Sequence, residues 1–109
     1  MVTKDGTAIK FYVDGSLHSS ATSSGSTIDN NGAENTFIGS KQTGDYFDGK
    51  ISSVKVFNSA LTESEIQEMY LNPEQILPTG VSSSNLKLWL PMNEGAGTIN
   101  YDGSGNQNH

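Results

Sequence analysis

Apolar residues along this chain come in short runs, and turn-forming dipeptides separate them. In "TAIKFYVDGSLHSS" (7–20), Ile9, Phe11 and Val13 alternate with Ala8, Lys10 and Tyr12, which gives one strongly apolar face. Asp14 and Gly15 tolerate the positive φ of a tight turn, so a hairpin is predicted with Leu17 opening the return strand. "TFIGS" (36–40) reads as a short strand ended by Gly39. In "YFDGKISSVKVFNSAL" (46–61), Val54 and Val56 share a face, and Ile51 joins them only if a bulge falls at Ser52 and Ser53. "LKLWLPMNE" (86–94) alternates Leu86, Leu88 and Leu90 with Lys87 and Trp89. Pro91 removes a ladder donor, so this strand lies at an edge or ends there. "GAGTINYDGSGNQNH" (95–109) predicts a turn, a strand of two or three residues and a polar loop.

One segment has helical rather than strand periodicity. In "ALTESEIQEMYLNP" (60–73), Thr62 caps the first turn and Glu65 completes a capping box, while Leu61 and Ile66 form a hydrophobic staple. Ile66, Met69 and Tyr70 line one face, and Pro73 stops the helix. Residues 72–85, "NPEQILPTGVSSSN", carry two prolines, a glycine and a serine run without periodicity, and read as a linker. Residues 21–35 read as a polar loop with almost nothing to bury. The pattern predicts an all-β, antiparallel sandwich with one short capped helix near residues 62–71.

Composition narrows the partners. The chain has 109 residues, enough for one small domain with a core. Its six basic residues are all lysine and are scattered, against twelve acidic residues, for a net charge of −6. Nucleic acid is excluded as a partner, because phosphate neutralisation requires clustered Lys and Arg. There is no cysteine, hence no disulfide framework and no thiolate metal site. No apolar stretch approaches the ~20 residues that span a bilayer, so membrane insertion is not expected.

The ordered set of motifs resembles a known family. "YVDG" (12–15), "IG" (38–39), "FDGKI" (47–51), "FN" (57–58), "LT" (61–62) and "EI" (65–66) resemble the C-terminal half of a laminin-G-like domain. That class belongs to the concanavalin A-like jelly-roll superfamily. The closing stretch resembles the N-terminal signature of the same family at Trp89, Pro91, Gly95, Gly97, Asp102, Ser104, Gly105, Asn106 and Asn108. The resemblance implies residues 1–71 as the end of one jelly roll, 72–85 as a linker, and 86–109 as an opening strand and loop. That opening either completes the same sandwich or starts the next one in a tandem array. Several strands that the family places between these halves have no counterpart, so the chain is expected to be an excerpt of a longer protein.

Candidate chemistry sits in the loops. Asp102, Ser104, Asn106 and Asn108 cluster within seven residues, and calcium takes six to eight oxygens from such loops. Asp102, Asn106 and Glu94 are the metal candidates, and Asp45 and Asp48 are secondary ones. Related domains hold calcium near their ligand face, so the resemblance implies calcium as a cofactor. Tyr46 and Tyr101, both beside loops, are the candidate glycan contacts, whereas Tyr12 and Trp89 read as core or face-covering aromatics. Glu63 favours the positive end of the helix dipole, Glu65 caps, and Glu68 is expected to be solvated. His18 has no ligand partner nearby. Glycosidases need two carboxylates about 5–9 Å apart across a sugar, and no strand carries the Glu-x-Asp-x-Glu pattern of the related glucanases.

These readings predict a non-enzymatic carbohydrate- or surface-binding adhesion module, calcium-assisted, on an extracellular protein or a virion surface. The partners are a glycan or a surface protein, with neighbouring copies of the chain or domain. The alternatives are a structural spacer or decoration domain of a fibre, phage tail or capsid, and a fragment of a glycoside hydrolase. One topological expectation is sharp. Leu86, Leu88 and Leu90 need an apolar face, and a strand within 49–57 would otherwise leave an open edge. The strand at 86–92 is therefore expected to pair with 49–57, in the same chain or in an adjacent copy.

Overall fold

The computed structural model describes residues 1–27, 36–41, 43–92 and 99–107. Among the described residues, five strands form two antiparallel sheets. The first has three strands, β1 (Val2–Asp5), β2 (Ala8–Val13) and β3 (Ser16–Thr22), in the order β1-β2-β3. The second pairs β4 (Val54–Phe57) with β5 (Leu86–Leu90). Helix α1 (Glu63–Leu71) lies between them in sequence, and a short 3-10 turn, Ser83–Asn85, leads into β5. The all-β, antiparallel reading with one short helix holds. The described strands form two small sheets and do not by themselves close a sandwich.

The turn residues behave as predicted at 14–15. Asp14 and Gly15 both adopt positive φ, 52° and 77°, and β2 and β3 pair through them. The ladder slips between Phe11 and Tyr12, where Phe11 faces Ser19 but Tyr12 faces Leu17. His18 is thus the extra residue of a bulge. The sequence pattern leaves β1 unpredicted, yet it pairs with β2 from Val2 opposite Phe11 to Asp5 opposite Ala8. Gly6, with φ 59°, makes that turn.

The buried face of this sheet is the reverse of the expected one. Phe11 and Val13 remain 38% and 55% exposed, whereas Tyr12 is 6% exposed. Tyr12, Leu61 and Ile66 form the core cluster, with Phe57 and Val81 packed against it. The physical reason lies in the approach of α1. The helix reaches the sheet at Gly15, where a β-carbon would come within 3.0 Å of Tyr70. It therefore covers the face that carries Tyr12, not the face of Ile9, Phe11 and Val13.

The helix matches its sequence signals. The Thr62 hydroxyl accepts from the Glu65 amide at 3.3 Å, and the Glu65 carboxylate accepts from the Thr62 amide at 2.8 Å. These two bonds are the predicted capping box. Leu61 and Ile66 are both buried in one cluster, as a staple requires.

The expected pairing of the closing strand also holds, and it holds within one chain. Val54 faces Leu90, Lys55 faces Trp89, and Val56 faces Leu88. Leu86 and Leu90 are buried. The bulge sits between Val56 and Phe57 rather than at Ser52 and Ser53. Ser53 instead takes a positive φ of 52° just before β4 begins, so Ile51 never enters the strand. One other expected strand does not form: residues 36–40 are irregular, while the short strand expected within 95–109 falls partly outside the described residues. Phe37 and Ile38 of residues 36–40 stay exposed.

Residues 72–85 are packed rather than loose. Val81 joins the core cluster and Pro78 is buried. Among the described residues, no helix is long and apolar enough to cross a membrane.

Candidate functional site

The loop at 101–107 carries a dense set of polar contacts to β5. Leu86 and Leu90 point into the core, which leaves the outer edge of β5 to be satisfied. The loop does this by mimicking a strand. The Trp89 amide donates to Asp102 Oδ1 at 2.9 Å, and the Gly103 amide donates to the Trp89 carbonyl at 2.8 Å. The Ser104 hydroxyl reaches the Lys87 carbonyl at 3.2 Å, and Asn106 Nδ2 reaches the Leu86 carbonyl at 3.1 Å. A bare strand edge invites pairing with other chains, and here side chains cap it.

Asp102 is the centre of this clasp. It is 7% exposed, and a carboxylate taken out of water needs donors. Besides Trp89, its Oδ1 accepts from the Ser104 amide, and Oδ2 accepts from the Ser104 hydroxyl, both at 2.9 Å. Asn106 Nδ2 donates to Ser104 Oγ at 2.9 Å. The structure thus brings Asp102, Ser104 and Asn106 together, as the spacing suggested. It aims N–H and O–H groups at the carboxylate, an arrangement suited to holding a loop. A calcium ion would need the Asp102 and Ser104 oxygens that now serve the clasp, and further oxygens besides. Glu94 and Asn108 lie outside the described residues. Among the described residues, no group of three or more His, Asp or Glu side chains could hold a metal.

Trp89 closes the site from behind. Its ring lies against Gly103, where a β-carbon would fall 2.5 Å from Trp89 Cε3. The indole Nε1 is buried without a hydrogen-bond partner among the described residues. An orphaned buried donor costs about 1–3 kcal/mol, so packing against the loop outweighs that loss.

The two predicted glycan contacts are accessible. Tyr46 is 83% exposed and Tyr101 is 57% exposed. They sit in separate loops, one following Asp45 and one immediately preceding the clasp. Asp45 pairs with Lys41 across one turn of loop and, like Tyr46, is exposed. His18 lies exposed on β3.

Sequence reasoning missed two polar residues. Glu68, expected to be solvated, accepts from the Thr79 amide at 2.9 Å, the Thr79 hydroxyl at 2.6 Å and Gln75 Nε2 at 3.2 Å. These bonds, those of Thr79 foremost, hold its carboxyl below the usual glutamate range. Lys55, flanked by two valines in β4, donates from Nζ to the Gln75 carbonyl at 3.0 Å. Burial lowers its pKa from the ordinary lysine value. A charged residue between two valines was the available signal for Lys55. For Glu68 there was none, because Thr79 lies eleven residues away with no pattern linking them.

Residues 1–67 match a laminin-G type family model described as the concanavalin A-like lectin/glucanases superfamily. The chain belongs to this family. The match takes in β1 to β4 and the first half of α1, while β5 and the clasp lie beyond it. Neither the curated proteins nor the solved structures searched contain a match.

Proposed function

We propose that this chain is a non-enzymatic carbohydrate-binding module that serves adhesion to glycan-bearing surfaces. The observation that carries the reading is membership of the lectin/glucanase superfamily over residues 1–67. The exposed rings of Tyr46 and Tyr101 support it, since an exposed aromatic face can stack on a sugar ring. Four of the described carboxylates already have structural partners, which supports binding rather than hydrolysis. Glu65 caps the helix, Glu68 anchors Thr79, Asp102 holds the clasp and Asp45 pairs with Lys41. An exterior setting, on a cell or a virion, suits the acidic composition of a Ser-, Asn- and Gly-rich chain.

A glycan array tests this reading with wild-type protein and with Tyr46→Ala and Tyr101→Ala, each in calcium and in EDTA. Binding that falls at least tenfold in a tyrosine variant supports it. Binding lost only in EDTA assigns calcium an assisting part. No bound glycan in either buffer overturns the reading and leaves a structural spacer.

A further inference from the structure

The chain holds four Asp–Gly steps: Asp5–Gly6, Asp14–Gly15, Asp48–Gly49 and Asp102–Gly103. Each is a reactive sequence, because glycine has no side chain to keep its amide nitrogen from the preceding carboxyl carbon. Reaction also requires geometry: the two atoms must approach to about 3–3.5 Å in the right orientation. The fold separates the four steps on this point.

Three of them are held. At Asp102–Gly103 the carboxylate accepts from the Trp89 amide and from the amide and hydroxyl of Ser104, each at 2.9 Å. The Gly103 amide donates to the Trp89 carbonyl at 2.8 Å. Both reacting groups are thus committed to the clasp. Asp5–Gly6 enters a turn closed by the Asp5–Ala8 pair, with Gly6 fixed at φ 59°. Asp14–Gly15 forms the turn closed by the Val13–Ser16 pair, and Tyr70 packs over Gly15. Asp48–Gly49 lies outside every strand and hairpin turn, and both residues are exposed. Among the described residues, neither the Asp48 carboxylate nor the Gly49 amide has a hydrogen-bond partner.

We propose that Asp48 is a site of isoaspartate formation, the fold directing this modification to Asp48–Gly49 and away from the other three steps. The Gly49 nitrogen gives up its proton and bonds to Cγ of Asp48, and the carboxyl hydroxyl leaves as water. Water then opens the succinimide ring. Attack at Cγ restores aspartate, whereas attack at the main-chain carbonyl of Asp48 leaves the chain running through Cγ, as isoaspartate. One water leaves and one returns, with no change of oxidation state. Isoaspartate adds a methylene to the backbone between Phe47 and Gly49. The neighbouring contacts are close. The Phe47 amide donates to the Gly39 carbonyl at 2.7 Å. Its ring lies on Gly49, where a β-carbon would fall 2.8 Å from Phe47 Cε1. The added carbon therefore shifts the ring and loosens the tie between Phe47 and Gly39.

The test ages the folded chain at neutral pH and body temperature and follows it by peptide mapping. Trypsin places Asp48 in peptide 42–50 and Asp102 in peptide 88–109, and electron-transfer fragmentation distinguishes isoaspartate from aspartate at each position. Isoaspartate should accumulate at Asp48 about tenfold faster than at the three held steps. In urea, where the fold no longer restrains them, that preference should vanish. Asp48→Glu should remove the signal at this position and leave the others unchanged. Amide exchange at Phe47 should accelerate in the modified fraction of the wild-type protein. Equal accumulation at Asp48 and Asp102 in the folded chain would overturn the proposal, as would a preference that persists in urea. A Phe47 amide equally protected before and after modification would overturn the loosening of this loop.

Discussion

Glu68 and Thr79 are joined twice, the Thr79 amide donating to Oε2 at 2.9 Å and its hydroxyl to Oε1 at 2.6 Å. One helix residue thus fixes the path of residues 72–85, which carry the chain from α1 to β5. The bonds favour the ionised carboxylate, so its pKa is lower in the folded state than in the unfolded chain. A depressed folded-state pKa gives stability that is present above the ordinary glutamate range. That contribution is lost as pH falls through the lowered value. Amide exchange at Thr79 should accelerate on acidification, and Glu68→Gln should abolish the pH dependence. A Thr79 amide indifferent to both would exclude this linkage.

Lys55 has the same sign of linkage, but at high pH and from a burial penalty rather than from favourable bonds. Burial disfavours its charged form, so the folded state holds this proton less tightly than the unfolded chain. Stability should rise as pH climbs between the lowered folded value and the ordinary lysine value. Lys55→Met should flatten that rise, as read from denaturant midpoints between neutral and alkaline pH.

The helix has two separable supports. Thr62→Ala removes the cap and should cost about 1 kcal/mol. Ile66→Ala opens a cavity against Tyr12 and Leu61 and should cost about 2–4 kcal/mol. Urea melts that rank the two in reverse order would show that the capping box, not the core, holds α1 in place.

Gly103 leaves no room for a side chain beneath the Trp89 ring. Gly103→Ala should cost about 1–3 kcal/mol through overpacking and red-shift the emission of the sole tryptophan as the loop lifts. An unchanged spectrum would mean that the loop does not lie against the indole.

Asp102→Asn tests the clasp separately from any ion. The variant keeps the shape but replaces an ionised acceptor with an amide that cannot serve all three donors. A loss of about 1–3 kcal/mol is expected in EDTA as well as in calcium. A loss confined to calcium-containing buffer would transfer the role of Asp102 from the clasp to the metal.

The sequence by itself determined the helix, the β2–β3 turn and the pairing of the closing strand, though not β1. Thr62, Glu65, Leu61 and Ile66 specified the helix start, because capping and stapling act over three to five residues. Asp14 and Gly15 specified the β2–β3 turn through their tolerance of positive φ. The leucines of 86–90 demanded an apolar face, and a strand at 54–57 was the open edge to supply it. Tertiary structure alone decided which face of β2 is buried. Alternation offered Ile9, Phe11 and Val13, yet α1 docks at Gly15 and encloses Tyr12. It likewise decided that Glu68 serves Thr79 and that Asp102, Ser104 and Asn106 cap β5. Contacts at separations of eleven to twenty residues leave no periodic trace. They depend on where the chain returns in space, and packing fixes that return.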